Sequence, residues 1–197
     1  SVISRIGDHT AELVDRVLPG GPESASGPTW SPEPGTPRTR VEVDGRHGHV
    51  DEVDVPRLVA LAAERDGVLV LEQPLGAFTT RGQTLATFWG TGWDAEASAA
   101  VNRAVRLDTE RSTRQDVGFG FRQLVDIGER ALSPGVNDPT TATQVIDELH
   151  RLLREAVQRR SPSPFVADGD GVVRVVAPGP DVNALLRLSV EELAHYG

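Results

Sequence analysis

The stretch DVGFGFRQLVDIGERALSPGVNDPTTATQVIDELHRLLREAVQR, residues 116–159, decides how the rest of the chain is read. Apolar residues recur at helical spacing on both sides of a short break. Val117, Phe121, Leu124, Val125 and Leu132 predict one helix over 116–132. Val145, Ile146, Leu149, Leu152, Leu153 and Val157 predict the buried face of a second helix over 138–159. Ser133-Pro134-Gly135 stops the first helix, because a residue before proline is driven out of the α region. Asp138-Pro139 starts the second. The aspartate carboxylate can accept an amide of the first turn, and a proline there gives up an N–H that has no partner anyway. Residues 133–138 therefore join the two helices in an αα-hairpin.

Outward from this hairpin the pattern is mixed. Val2, Ile3, Ile6, Leu13, Val14, Val17 and Leu18 give a first helix over 1–18, which shows no clear cap and is stopped by Pro19-Gly20-Gly21. Residues 19–37 hold six of the 14 prolines and read as a Pro/Gly-rich linker with Trp30 as its anchor. Residues 38–92 form a small β-rich module. RVEVDGRHGHVDEVDV alternates like strands, PRLVALAAERDG is a short helix, and GVLVLEQ and the residues up to Trp89 are strands. The strand spacing suggests a biotinyl/lipoyl-like half-barrel. Residues 93–197 read as a mainly helical module, with a helix over 93–105, a charged connector RLDTERSTRQ, the 116–159 hairpin, a short β-hairpin turning at Asp168-Gly169-Asp170-Gly171, and a last amphipathic helix. The expected fold class is α+β, a β-rich module packed beside a helical one.

Composition removes several chemistries. The 197 residues include no cysteine, so disulfides, thiolate catalysis and cysteine-ligated zinc are excluded. All 20 basic residues are arginine. Without lysine there is no Schiff base and no Walker-type phosphate lysine, and the modified lysine of a biotinyl or lipoyl carrier has no counterpart. A net charge of −9 argues against nucleic acid as a partner. Apolar runs such as VLVL at 68–71 are far too short to cross a bilayer. There is no methionine, so the chain reads as a piece of something longer.

Candidate site residues are few. Arg122, Asp126 and Arg130 stand at i, i+4 and i+8 and share a helix face. The start of helix 138–159 presents free N–H groups flanked by Thr140 and Thr141, and such ends bind anions. With Asn137 and Asp138 these form the candidate ligand-binding set, suited to a small anion. The plainer reading is a salt-bridge ladder on one helix and a cap on the other. His47 and His49, with Asp44 or Asp51, are weak candidates for a metal site, against an ordinary glycine-rich turn. The DGDG stretch lacks the remaining calcium ligands and reads as a turn. GFGF at 118–121 lacks the strand and third glycine of a dinucleotide fingerprint. No catalytic residue stands out and no cofactor is implied.

Gln115-Asp116, Phe119-Gly120, Arg122 to Ile127, Arg130 to Gly135 and Asn137 to Pro139 together resemble the signature of a bacterial family of predicted integral membrane proteins, domain of unknown function 2254. A weaker likeness covers Gly48 to Leu85. The departures are His49, where an aromatic residue is common, and Gly128, where alanine is usual; the glycine suggests close helix packing. The resemblance implies transmembrane helices ahead of a soluble region, with residues 1–18 continuing the last of them. It implies a bacterial inner (plasma) membrane location, and an even number of preceding spans would put this domain on the cytoplasmic side. It names no activity. The resulting expectation is a non-enzymatic soluble domain of a membrane protein, used for assembly, ligand sensing or gating. Its partners would be its own transmembrane region and, as options, a second copy or a small anion. The alternative is a membrane-tethered hydrolase-like enzyme using a metal or carboxylates.

Overall fold

A computed structural model describes residues 1–20 and 27–196. The fold is mixed α+β, and its contacts divide into two units. Helices α1 (Val2–Val17), α4 (Val117–Leu132), α5 (Pro139–Ala156) and α6 (Val182–Tyr196) make up one. The other holds α2 (Val55–Glu64), α3 (Ala95–Ala104) and strands β1 (Arg38–Glu42), β2 (Gly48–Val53), β3 (Val68–Leu71), β4 (Phe78–Thr79), β5 (Thr84–Trp89), β6 (Val105–Asp108), β7 (Phe165–Ala167) and β8 (Val173–Val176). Residues 21–26 of the expected linker lie outside the described residues. No described helix is long and apolar enough to cross a membrane.

The helical unit follows from its caps and its small residues. Asp116 accepts the Phe119 N–H at 3.1 Å and Asp138 accepts the Thr141 N–H at 3.1 Å, so each of these helices begins at an aspartate. α1 is also capped, by Ser1, whose hydroxyl accepts the Ser4 N–H at 3.2 Å; the sequence pattern had shown no clear cap there. Leu13, Val14, Leu18, Val117, Phe121, Leu124, Val125, Val145, Leu149 and Leu152 pack as one core. On α5 the buried line is Ala142, Val145, Leu149, Leu152 and Ala156. Ile146 and Val157, expected on that face, are half exposed, at 50% and 52%. The two alanines take core positions because a methyl group suffices where helices approach closely, and this turns the helix away from its bulkier apolar residues.

α1 lies against α4 and α5 at points where a side chain is missing. A Cβ on Gly120 would meet the Thr10 hydroxyl at 2.2 Å, and a Cβ on Gly7 would overlap the Glu148 carboxylate. Arg151 of α5 reaches Asp8 at 3.4 Å, and Arg159 donates to the Leu18 carbonyl at 3.0 Å while also pairing with Asp15. Gly128 of α4 is buried, in line with the packing its presence suggested.

The second unit contains two sheets. One has the order β1-β5-β3-β8-β7 and the other β4-β2-β6. This strand order does not single out the biotinyl/lipoyl-like half-barrel expected above. β1 and β2, adjacent in sequence, enter different sheets. Arg106, Leu107 and Asp108, which read as charged connector, join Val105 in β6, pairing Val50 with Leu107 and Val53 with Val105. The hairpin β7–β8, grouped by sequence with the helices, pairs parallel to β3, Leu69 opposite Val175. A parallel partner has no local sequence signature, since the connection between the strands is long. Phe88 sits at the centre, fully buried and stacked on Trp93 at 4.3 Å. Full burial of such a ring contributes about 1.5–3 kcal/mol. Trp30 anchors its segment as expected, edge-on to Trp89 at 6.2 Å.

Candidate functional site

The signature stretch is built as a corner. Ser133 ends α4: its N–H and its hydroxyl both donate to the Arg130 carbonyl, at 3.2 and 2.7 Å. The chain then turns back on itself. The N–H groups of Val136 and Asn137 donate to the Ser133 carbonyl at 3.0 and 2.9 Å, and that of Asp138 to the Ala131 carbonyl at 2.8 Å. Asn137 adopts a left-handed backbone, φ +44°, which asparagine tolerates better than most residues. α5 starts immediately afterwards.

The candidate residues divide between the two helices. Arg122 and Asp126 form an i, i+4 ion pair at 2.7 Å, as the ladder reading expects, and Arg130 lies exposed on the same helix. Asp138 accepts both the N–H and the hydroxyl of Thr141, the latter at 2.6 Å. The Thr141 hydroxyl holds the Asp138 carboxyl below the usual carboxylate range. Thr140 and Asn137 are exposed. The end of α5 therefore carries its own anion. An incoming anion would share the field of the first turn with this carboxylate.

His47 and His49 flank the ring of Phe78, at 6.4 and 5.1 Å, and His49 Nδ1 lies 3.0 Å from the Gly76 carbonyl. Asp51 is buried with the Arg106 guanidinium 3.5 Å away, so its charge faces a cation. Among the described residues, no three His, Asp or Glu side chains gather as a metal site would require. In the DGDG turn, Asp168 accepts the N–H groups of Asp170 and Val172, each at 3.0 Å, and Arg174 Nε at 2.7 Å. The Arg174 guanidinium keeps that carboxyl low. It is a brace for the hairpin.

A concavity lies between two helices that the sequence pattern does not pair. α2 and α3 run antiparallel: the Asp54 N–H donates to the Ala104 carbonyl at 2.9 Å at one end, and Arg65 approaches Asp94 at 3.8 Å at the other. Between them lies a cleft of about 290 Å3 with Ala60, Leu61, Ala97 and Ala100 on its walls. Arg57 and Arg103 line it, as do Glu64, Glu96 and Arg65.

The comparisons with known proteins concern the whole chain. The family model described as Predicted membrane protein (DUF2254) matches residues 1–197. An uncharacterized protein of Mycobacterium bovis is 31% identical over 203 residues, covering 100% of this chain and 39% of its own length. An uncharacterized protein of Mycobacterium tuberculosis strain H37Rv is similar to the same extent, 31% over 203 residues, with 100% and 39% covered. The chain thus spans about two fifths of the length of these relatives. No solved structure matches it significantly. With a family model matched from end to end, the chain belongs to the bacterial family of predicted membrane proteins DUF2254.

Proposed function

We propose that this chain is a non-enzymatic extramembrane domain of an inner-membrane protein, on its cytoplasmic side, and that its helical unit assembles with the protein's own transmembrane region through α1. One observation carries this reading. α1 is joined to α4 and α5 along its length, by the Thr10–Gly120 and Gly7–Glu148 approaches and by Arg151 and Arg159 of the second helix and the residues after it. A helix held so closely transmits a displacement as a rigid body instead of fraying. The family's predicted membrane character and the length of the relatives beyond the matched region support a membrane-spanning part elsewhere in the protein. The signature residues support a scaffold role: Asp116 and Asp138 cap helices, Arg122 pairs with Asp126, and the 133–138 stretch closes the corner.

The test uses the intact protein in lipid nanodiscs. Native mass spectrometry is compared for the wild type and for Gly120→Val, which forces α1 from α4. The proposal expects an altered assembly in the variant. It also expects no compound to be consumed when the wild type is incubated with a metabolite extract and followed by mass spectrometry. Catalytic turnover that disappears in Asp138→Ala at unchanged melting temperature would overturn it in favour of a tethered hydrolase.

A further inference from the structure

We infer that the α2–α3 cleft binds a small linear zwitterion whose opposite charges lie about 10 Å apart, the size of a tripeptide. The antiparallel pairing sets the charges out in order. Arg57 stands in the first turn of α2 and Arg103 in the last turn of α3, so both guanidiniums belong to the end closed by the Asp54–Ala104 hydrogen bond. Glu64 and Glu96 belong to the opposite end, near the Arg65–Asp94 pair. Seven residues separate Arg57 from Glu64, which at 1.5 Å per residue gives about 10 Å. Three extended residues span the same distance.

The charges are not explained by internal pairing. Among the described residues no carboxylate lies within ion-pair distance of Arg57 or Arg103, and no cation within that distance of Glu96. Glu64 meets only its neighbour Arg65, at 3.4 Å. The nearest acid to Arg57 in sequence, Asp54, is occupied in accepting the Arg57 N–H at 3.1 Å. In α3 the order of Glu96 and Arg103 suits the helix dipole, but in α2 Arg57 sits at the positive end and Glu64 at the negative end, the reverse of the stabilising order. Local rules broken without a compensating contact are a mark of functional sites. Arg65 also lines the acidic end, its guanidinium 3.4 Å from Glu64 and 5.7 Å from the Trp93 ring centroid. The walls between the two ends, Ala60, Leu61, Ala97 and Ala100, are small and apolar, which suits a short backbone and excludes bulky chains. In this arrangement Arg57 and Arg103 take the carboxylate of the ligand, and Glu64 and Glu96 its ammonium group.

Isothermal titration of the full chain at low salt with trialanine tests this, with N-acetyl-trialanine amide and inorganic phosphate as comparison probes. Saturable binding of trialanine is expected, at least tenfold tighter than either comparison probe. Arg57→Gln with Arg103→Gln should weaken it at least tenfold, and Glu64→Gln with Glu96→Gln about fivefold. These four side chains lie on the surface of the unit, and unchanged thermal unfolding of both variants establishes that folding is intact. Equal binding of the blocked peptide, phosphate binding as tight as trialanine, no detectable trialanine binding, or undiminished binding in the arginine variant would each overturn the proposal.

Discussion

Gly120→Ala turns the docking of α1 on α4 into a sign that can be measured. An alanine in the interior of a helix is normally worth about 0.5–1 kcal/mol over glycine. At Gly120 the added methyl would stand 2.2 Å from the Thr10 hydroxyl and 2.8 Å from its methyl, inside a fully buried contact. Forcing extra volume into a packed core costs about 1–3 kcal/mol. The strain exceeds the propensity gain, so the substitution should destabilise by about 1 kcal/mol net. Thr10→Ala removes both clashing atoms and leaves only Cβ, at 3.0 Å. Its own cost is modest: the hydroxyl donates only to the Ile6 carbonyl of its own helix, at 2.7 Å, and one buried methyl is worth about 0.8 kcal/mol. In the Thr10→Ala background, Gly120→Ala should become neutral or stabilising, a coupling of about 1–3 kcal/mol in a double-mutant cycle. Urea unfolding followed by circular dichroism reads the helical unit. Trp30, Trp89 and Trp93 all lie in the β-rich unit, so tryptophan fluorescence reads that unit. If Gly120→Ala stabilises the wild-type background, as at an open helix surface, the contact between α1 and α4 does not exist as described.

Other outcomes follow from the same packing. Asp116→Ala should cost about 1 kcal/mol, by loss of the α4 cap, seen as a lower urea midpoint. Asp138→Ala should also lower the melting temperature. Because the folded Asp138 carboxyl is held below its ordinary value, its contribution is complete above about pH 4, the unfolded carboxylate value, and fades as the pH falls through the folded one. The difference between variant and wild type should therefore shrink in acid in a melting series from pH 7 to pH 2.5. Leu152→Ala should cost about 2–5 kcal/mol and Ile146→Ala under about 1 kcal/mol, since the first side chain is fully buried and the second half exposed. Asn137→Gly should be tolerated, whereas Asn137→Val should cost about 1–2 kcal/mol because a β-branched residue resists φ +44°.

The parts of the fold legible in the sequence are those settled within a few residues. The Ser133-Pro134 stop and the Asp138-Pro139 start are local chemistry, and the structure forms them. The DGDG turn and the anchoring of Trp30 were equally readable. What escaped depends on distant partners. Whether Ile146 or Ala142 faces inward is decided by how close α1 and α4 come, which periodicity in α5 alone does not carry. β6 is four residues long and gains its identity only from β2. The hairpin β7–β8 is a recognisable hairpin, but its place beside β3 is a contact across about a hundred residues. The α2–α3 cleft had one visible signal, the reversed order of Arg57 and Glu64 along α2. Its meaning depends on Arg103 and Glu96, which are brought alongside only by the antiparallel pairing.

Amide hydrogen exchange, resolved by helix, asks most directly whether α1 is an integral part of the scaffold formed by the α4–α5 corner. If it is, amides of residues 10–14 should open with the same free energy and the same urea dependence as those of 121–125 and 145–152, as one cooperative unit. Exchange of α1 at near-unprotected rates, while α4 and α5 stay protected, would contradict the account.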